Sequence, residues 1–192
     1  MLDEDELEQV LIGILKGYRH SFSEKVYSET DQDDDVLMDA FGITQELKAE
    51  NKQYWGRELG KCWEIMVRTV FQNFCVDFQE PKRFGLDEPA DFFCGTDAID
   101  TKYRVGSGDS GTLKKFEAYG QLLTAGGYQP VFLFLREDNL PAAISKCKAG
   151  GWKILMGEST FDYIEEKTGF DLENWLLVQT RRGTLKIDRN ED

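Results

Sequence analysis

Four side chains near the middle of the chain have the types and spacing to act together on a phosphodiester: Glu64, Asp91, Asp100 and Lys102. In the run Ala98 to Val105, AIDTKYRV, strand alternation puts Ile99, Thr101, Tyr103 and Val105 on one face. Ala98, Asp100, Lys102 and Arg104 then share the other, so an acid and a lysine stand side by side. Asp91 opens the preceding run, DFFCG, nine residues before Asp100. The Gly-Thr-Asp turn between the runs predicts a hairpin that brings the two carboxylates together. Adjacent carboxylates repel unless a cation lies between them, and oxygen ligands suit Mg²⁺. Magnesium there would activate water and stabilise charge on the attacked phosphate. Lys102 would stabilise the charge that develops, and Glu64 is expected to reach the metal from behind, directly or through water. A lone Asp-x-Lys is more simply a salt bridge on a solvated face. The Pro89-x-Asp91 start, the short gap, the upstream Glu64 and the αβ unit that follows favour the catalytic reading.

These residues need elements to position them. A helix is expected over Tyr54 to Phe74, with Leu59, Cys62, Trp63, Met66, Val67, Val70, Phe71 and Phe74 as its apolar stripe and Glu64 beside it. After the hairpin, the Gly-rich GSGDSG (Gly106 to Gly111) leads into a helix over Leu113 to Ala125. A buried strand (Pro130 to Leu135), a helix (Pro141 to Lys148) and a strand (Trp152 to Met156) come next. A last helix starts at Ser159, with Ser159 and Asp162 as a capping pair. Upstream, Leu7, Val10, Leu11, Ile14, Leu15, Tyr18 and Phe22 recur at helical spacing. Asp31 to Asp35 reads as a solvated turn and helix start; it lacks the Gly and closing Glu of a calcium loop. The order predicts a mixed α/β fold: a restriction-endonuclease-like core with a central mixed sheet flanked by helices, plus an N-terminal helical segment. The expected divisions are an acidic helical segment (1–50), the core (51–180) and a polar tail (181–192).

The pattern Glu64, Asp91, Asp100, Lys102 resembles the PD-(D/E)XK nuclease superfamily, matching its helix acid, hairpin acids and lysine. Ala90 separates Pro89 from Asp91, where many members have Pro and Asp adjacent. More narrowly, residues 60–176 resemble type II restriction endonucleases of the ApaLI family. The stretches that carry this are LGKCWE, DEPADFF, AIDTKYRVGSGDSGTLKKF, LREDNLPAAI and TGFDLENWL. The resemblance implies Mg²⁺-dependent cleavage of double-stranded DNA at a short palindrome, GTGCAC if it extends to specificity. It also implies a homodimer, a companion DNA methyltransferase and a prokaryotic cytoplasm. The first 50 residues resemble nothing recognisable. A non-catalytic DNA-binding or assembly protein on the same fold, or a repair or resolvase-type nuclease, are the alternatives. The intact four-residue set argues against the first.

The bulk charge opposes a DNA partner, since 36 acids against 23 Lys and Arg give −13. The excess is local, however: residues 1–50 hold 14 acids and 4 bases, whereas residues 51–118 hold 11 acids and 10 bases. The acidic segment is expected to pack away from the DNA face. Lys61, Arg104, Lys114 and Lys115 flank the acids and could meet phosphates, while Ser107, Asp109, Ser110 and Thr112 sit where base edges could be read. Arg57, Arg68, Lys82 and Arg83 are further candidates. One centre per chain cutting both strands of a palindrome needs a twofold dimer, each subunit reading one half-site. GSGDSG also satisfies GxGxxG, but a dinucleotide-binding first strand would not carry Asp100, Lys102 and Arg104. GDSG is not a serine-protease nucleophile here, because the single histidine, His20, lies in a distant helix. The longest apolar stretches, such as Val131 to Leu135, are too short to span a bilayer, and no secretory signal opens the chain. The four cysteines (62, 75, 94 and 147) lack CxxC spacing, which favours buried reduced thiols over zinc ligands.

Overall fold

A computed structural model describes residues 3–23, 34–105 and 110–187. In chain order the elements are α1 (Glu4–Ser23), α2 (Val36–Phe41), α3 (Gln45–Ala49), α4 (Lys52–Phe74), β1 (Phe78–Gln79), β2 (Phe92–Cys94) and β3 (Asp97–Lys102). They continue with α5 (Ser110–Ala125), β4 (Gln129–Phe134), α6 (Pro141–Ala149), β5 (Lys153–Met156), α7 (Glu158–Thr168) and α8 (Leu172–Arg182). The fold is mixed α/β: one sheet, ordered β1-β2-β3-β4-β5, flanked by helices. β1 to β3 pair antiparallel, and β3 to β5 pair parallel through the crossovers α5 and α6.

Strand alternation divides the core into two layers. Phe92, Ile99, Val131 and Leu133 face α4 and α7, with the α4 stripe buried against them. Phe93, Ala98, Phe132 and Phe134 face α5 and α6. On that second side α5 and α6 meet backbone to backbone. A Cβ on Gly120 would lie 2.3 Å from the Gly150 carbonyl and 2.5 Å from Trp152 Nε1, so only glycine fits.

The N-terminal helices join the first layer. Leu7, Leu11, Leu15 and Phe22 of α1 are fully buried in the same cluster as α4, although Val10 is exposed. Beyond α8, Leu185 is fully buried and Ile187 N–H donates to the Phe41 carbonyl at 2.9 Å.

Several expectations need correction. β3 ends at Lys102, because the chain then leaves the sheet, and Val105 turns to the α5–α6 layer rather than sharing a face with Tyr103. The single last helix is two, broken where Gly169 adopts φ 72° as a C-cap and Asp171 caps α8. Ser159 is not the cap of α7. Gly157 takes that position, and the Ser159 hydroxyl bonds the Met156 backbone instead. The cysteines are not all thiols: Cys75, at the end of α4, is disulfide-bonded to Cys94 of β2. β1 pairing, with Phe78 opposite Cys94, brings these two together across 19 residues. Cys62 and Cys147 are free and buried, and burial pushes the Cys147 thiol up to about 12. Among the described residues, no helix is long and apolar enough to cross a membrane.

Candidate active site

β2 is three residues long and stops short of the middle of β3, pairing only with Asp97 to Ile99. Beyond Ile99 one edge of β3 has no β2 partner, and Asp91 fills the gap. Its N–H donates to the Ile99 carbonyl at 2.8 Å, and its Oδ2 accepts from Thr101 N–H (2.7 Å) and Thr101 Oγ1 (2.8 Å). Asp91 thus continues the ladder with its side chain and holds its carboxylate against the residue next to Asp100.

Asp100 and Lys102 project from the face of β3 that meets the α5–α6 layer, and their backbones pair in register with Phe132 and Phe134 of β4. Their carboxylate and ammonium are in direct contact, and Lys102 Nζ lies 5.9 Å from the Phe132 ring centroid. Their side chains are 15% and 33% exposed, so the pair is sunk in the surface but reachable.

Burial pushes the Asp100 carboxyl up to about 7; Asp91 and Glu64 add to the rise, and Lys102 opposes it. Burial works against charge on Lys102 too, but Asp100, Asp91 and Glu64 outweigh it and hold the ammonium above its ordinary value. The neighbouring carboxylates therefore favour the charged form of Lys102, while burial favours the protonated form of Asp100.

Glu64 stands on α4, the helix of the opposite layer, and pairs with Lys61 at 2.7 Å. Its field reaches Asp100 and Lys102, whereas its carboxylate is engaged elsewhere. Among the described residues, no three His, Cys, Asp or Glu side chains converge as a ready metal cage. The donor set still fits Mg²⁺. Two carboxylates, Asp91 and Asp100, close enough for one charge to act on the other, offer hard oxygens, and a bound cation would offset the burial that disfavours the charged form of Asp100.

The other expected residues are dispersed around this pair. Arg104 bonds the Asp138 carboxylate (2.7 Å) and carbonyl (2.9 Å). Ser110, Lys114 and Lys115 are exposed on the first turns of α5. Ser107 and Asp109 lie outside the described residues. Lys61, Arg57, Arg68 and Arg83 are tied to Glu64, Glu58, Glu80 and Glu88 respectively, and Lys82 lies over the Phe93 and Tyr128 rings.

Two features have no counterpart in the sequence reading. The first is a buried polar network behind β3. Tyr103 donates its hydroxyl to Asp35 and accepts from Lys48 Nζ (3.2 Å), and Arg136 reaches Asp35 (3.3 Å) and Asp138 (2.7 Å). Asp35 is 11% exposed, and its other oxygen caps α2 by accepting from Leu37 and Met38 N–H. The acid expected in a solvated turn is therefore enclosed, because α2 carries it onto the strand; Asp31 to Asp33 lie outside the described residues. The second feature is a cleft of about 740 Å³ beside Lys102, bounded by α3, the start of α4, the end of β3 and the start of α5.

Compared with known proteins, the chain matches no family model, no curated protein and no solved structure.

Proposed function

We propose that the chain is a Mg²⁺-dependent endonuclease that hydrolyses phosphodiester bonds in duplex DNA. The observation that carries this reading is the Asp91–Asp100–Lys102 cluster. Two carboxylates and one cation stand on and beside β3, the central strand of the sheet, with Asp100 raised to about 7 in a partly open site. Asp91 and Asp100 would hold the metal, with Glu64 acting at second remove. Magnesium bound there would supply charge stabilisation at the attacked phosphate and a more acidic water. Hydrolysis adds that water across the ester: its oxygen bonds phosphorus, the bond to the leaving sugar oxygen breaks, and that oxygen gains a proton. Lys102 neutralises charge on the phosphoryl oxygens as the bond order changes. Thr101 fixes the Asp91 carboxylate through two hydrogen bonds, so it is oriented before any ligand arrives.

The narrower reading rests on the resemblance to ApaLI-type enzymes: a site-specific type II restriction endonuclease, acting as a homodimer on a palindrome and accompanied by a methyltransferase. A cation-lined cleft next to Lys102 adds support for a polyanionic substrate. The test is digestion of supercoiled plasmid with Mg²⁺, with mapping of the ends produced. Discrete linear fragments from the wild type, and none from Asp100→Asn or Lys102→Ala, are expected. Equal cleavage by either variant refutes the assignment. A nick in one strand only, with one chain per duplex in sedimentation, refutes the symmetric dimer.

A further inference from the structure

The cleft beside Lys102 is lined by five cationic side chains, Lys48, Lys52, Arg57, Lys102 and Arg104, and by no acid among the described residues. The whole chain has 36 acids to 23 Lys and Arg, so this is a strong local reversal of charge. A solvated face that serves only stability mixes both signs. Three of these cations are paired, Arg57 with Glu58, Lys102 with Asp100 and Arg104 with Asp138, but none of those acids is among the lining residues.

Two further observations specify the ligand. Lys102 belongs both to this cleft and to the contact with Asp100, so whatever is attacked at the acid pair continues into the cleft. Gly56 forms part of the wall, with nothing within 4 Å of where a Cβ would stand, and it leaves room for a main chain or sugar to approach. Thr112 adds a neutral hydroxyl of the kind that bonds phosphate oxygens.

We propose that the cleft holds the phosphate backbone of a nucleic-acid strand on one side of the phosphodiester at Asp100 and Lys102. The first turns of α4 are then the principal phosphate contacts. The identity of the ligand rests on the nuclease reading, whereas the cleft and its charge do not. It moves the main backbone track from the α5 side, where Lys114 and Lys115 lie, to the α4 side. Lys52 and Arg57 are the informative positions, because neither touches the acid pair. Arg57 is 70% exposed, and Lys52 has no ion-pair partner among the described residues.

The experiment is binding of a short labelled DNA duplex, followed by fluorescence anisotropy over a salt series with EDTA present. The full chain is compared with Lys52→Ala/Arg57→Ala and with the charge-keeping Lys52→Arg/Arg57→Lys. The alanine pair is expected to bind roughly tenfold more weakly and to lower the slope of log K against log salt by about 2. The charge-keeping pair restores both. An unchanged slope in the alanine pair overturns the proposal, as does equally tight competition by polyglutamate, which would mark an acidic-protein site. Plasmid digestion by the wild type separates the two readings. Salt-dependent binding through Lys52 and Arg57 without Mg²⁺-dependent cleavage keeps the cleft and sinks the nuclease. Cleavage with unaltered binding in the alanine pair keeps the nuclease and sinks the cleft.

Discussion

Replacing Asp100 by Asn should change how stability depends on pH. In the unfolded chain an aspartate ionises near its ordinary value of 3.8, but in the folded protein Asp100 ionises at about 7. The folded state therefore holds this proton more tightly, and between pH about 4 and 7 folding takes up a proton. Stability falls as pH rises through that window and levels off above it. A gap of about 3 pH units at 1.36 kcal/mol each is worth about 4 kcal/mol. Solvent screens little of this, because the side chain is only 15% exposed. The Asp100→Asn variant carries no such proton, so the difference between the two stability curves isolates the carboxylate, and any constant offset from Lys102 drops out. Urea unfolding at a series of pH values is the assay. With a slope of about 2 kcal/mol per molar, the wild-type midpoint should drop by about 2 M relative to Asp100→Asn between pH 4 and 8. A relative change below about 1 kcal/mol would mean that the carboxylate ionises as if in water, and the account of the site would fail. Added Mg²⁺ offers a second check. At pH 8 a hundredfold excess over Kd should return about 2.7 kcal/mol to the wild type and little to the variant.

Asp91→Ala should abolish plasmid cleavage and also cost about 1–3 kcal/mol in urea unfolding, because Thr101 loses the acceptor of two hydrogen bonds. Glu64→Gln should slow cleavage less than any change at Asp91, Asp100 or Lys102; a loss as complete as theirs would place Glu64 directly on the metal. Asp35→Ala should cost about 3–5 kcal/mol, since Arg136 and Tyr103 lose a buried partner and α2 loses its cap. Asp35→Asn keeps the cap and should cost about 1 kcal/mol less, so equal losses in urea would show that the cap contributes nothing. Cys94→Ser should lower stability by about 3 kcal/mol, the entropy of the closed loop, and a reductant should do the same to the wild type but not to the variant in thermal melts.

Much of the scaffold was legible because its signals are local. The apolar stripe of α4, the two runs of the hairpin and the βαβ alternation after it are written at spacings of two to four residues, and the mixed α/β class follows from them. The four site residues were legible as types on those elements. Where they meet was only partly so: Asp91 reaches Thr101, whereas Glu64, on the far layer, turns to Lys61. Asp35 carries no mark that separates it from its acidic neighbours, because its burial depends on Tyr103 and Arg136, 68 and 101 residues away. The disulfide was hidden for the same reason, as the pairing of β1 with β2 decides it. Arg57 was legible as a candidate, whereas Lys52 and Gln53 lay before the expected helix start at Tyr54, although α4 begins at Lys52. The start of α4 becomes a cleft wall only once β3 and α5 stand opposite.

The close approach of α5 and α6 at Gly120 and Gly150 makes α5 a fixed rail. Rolling the helix about its axis would drive Trp152 or the Gly150 carbonyl into its main chain, so its attitude to β4 is locked. Its two halves consequently differ in what they tolerate. The middle admits no side chain at 120, while the first turns, with Ser110, Lys114 and Lys115 exposed, are bound by no such contact. New surface chemistry can therefore be installed at one end of α5 without shifting the strand that carries Asp100 and Lys102. The tolerant and the intolerant positions sit about one and a half to three turns apart on a single helix.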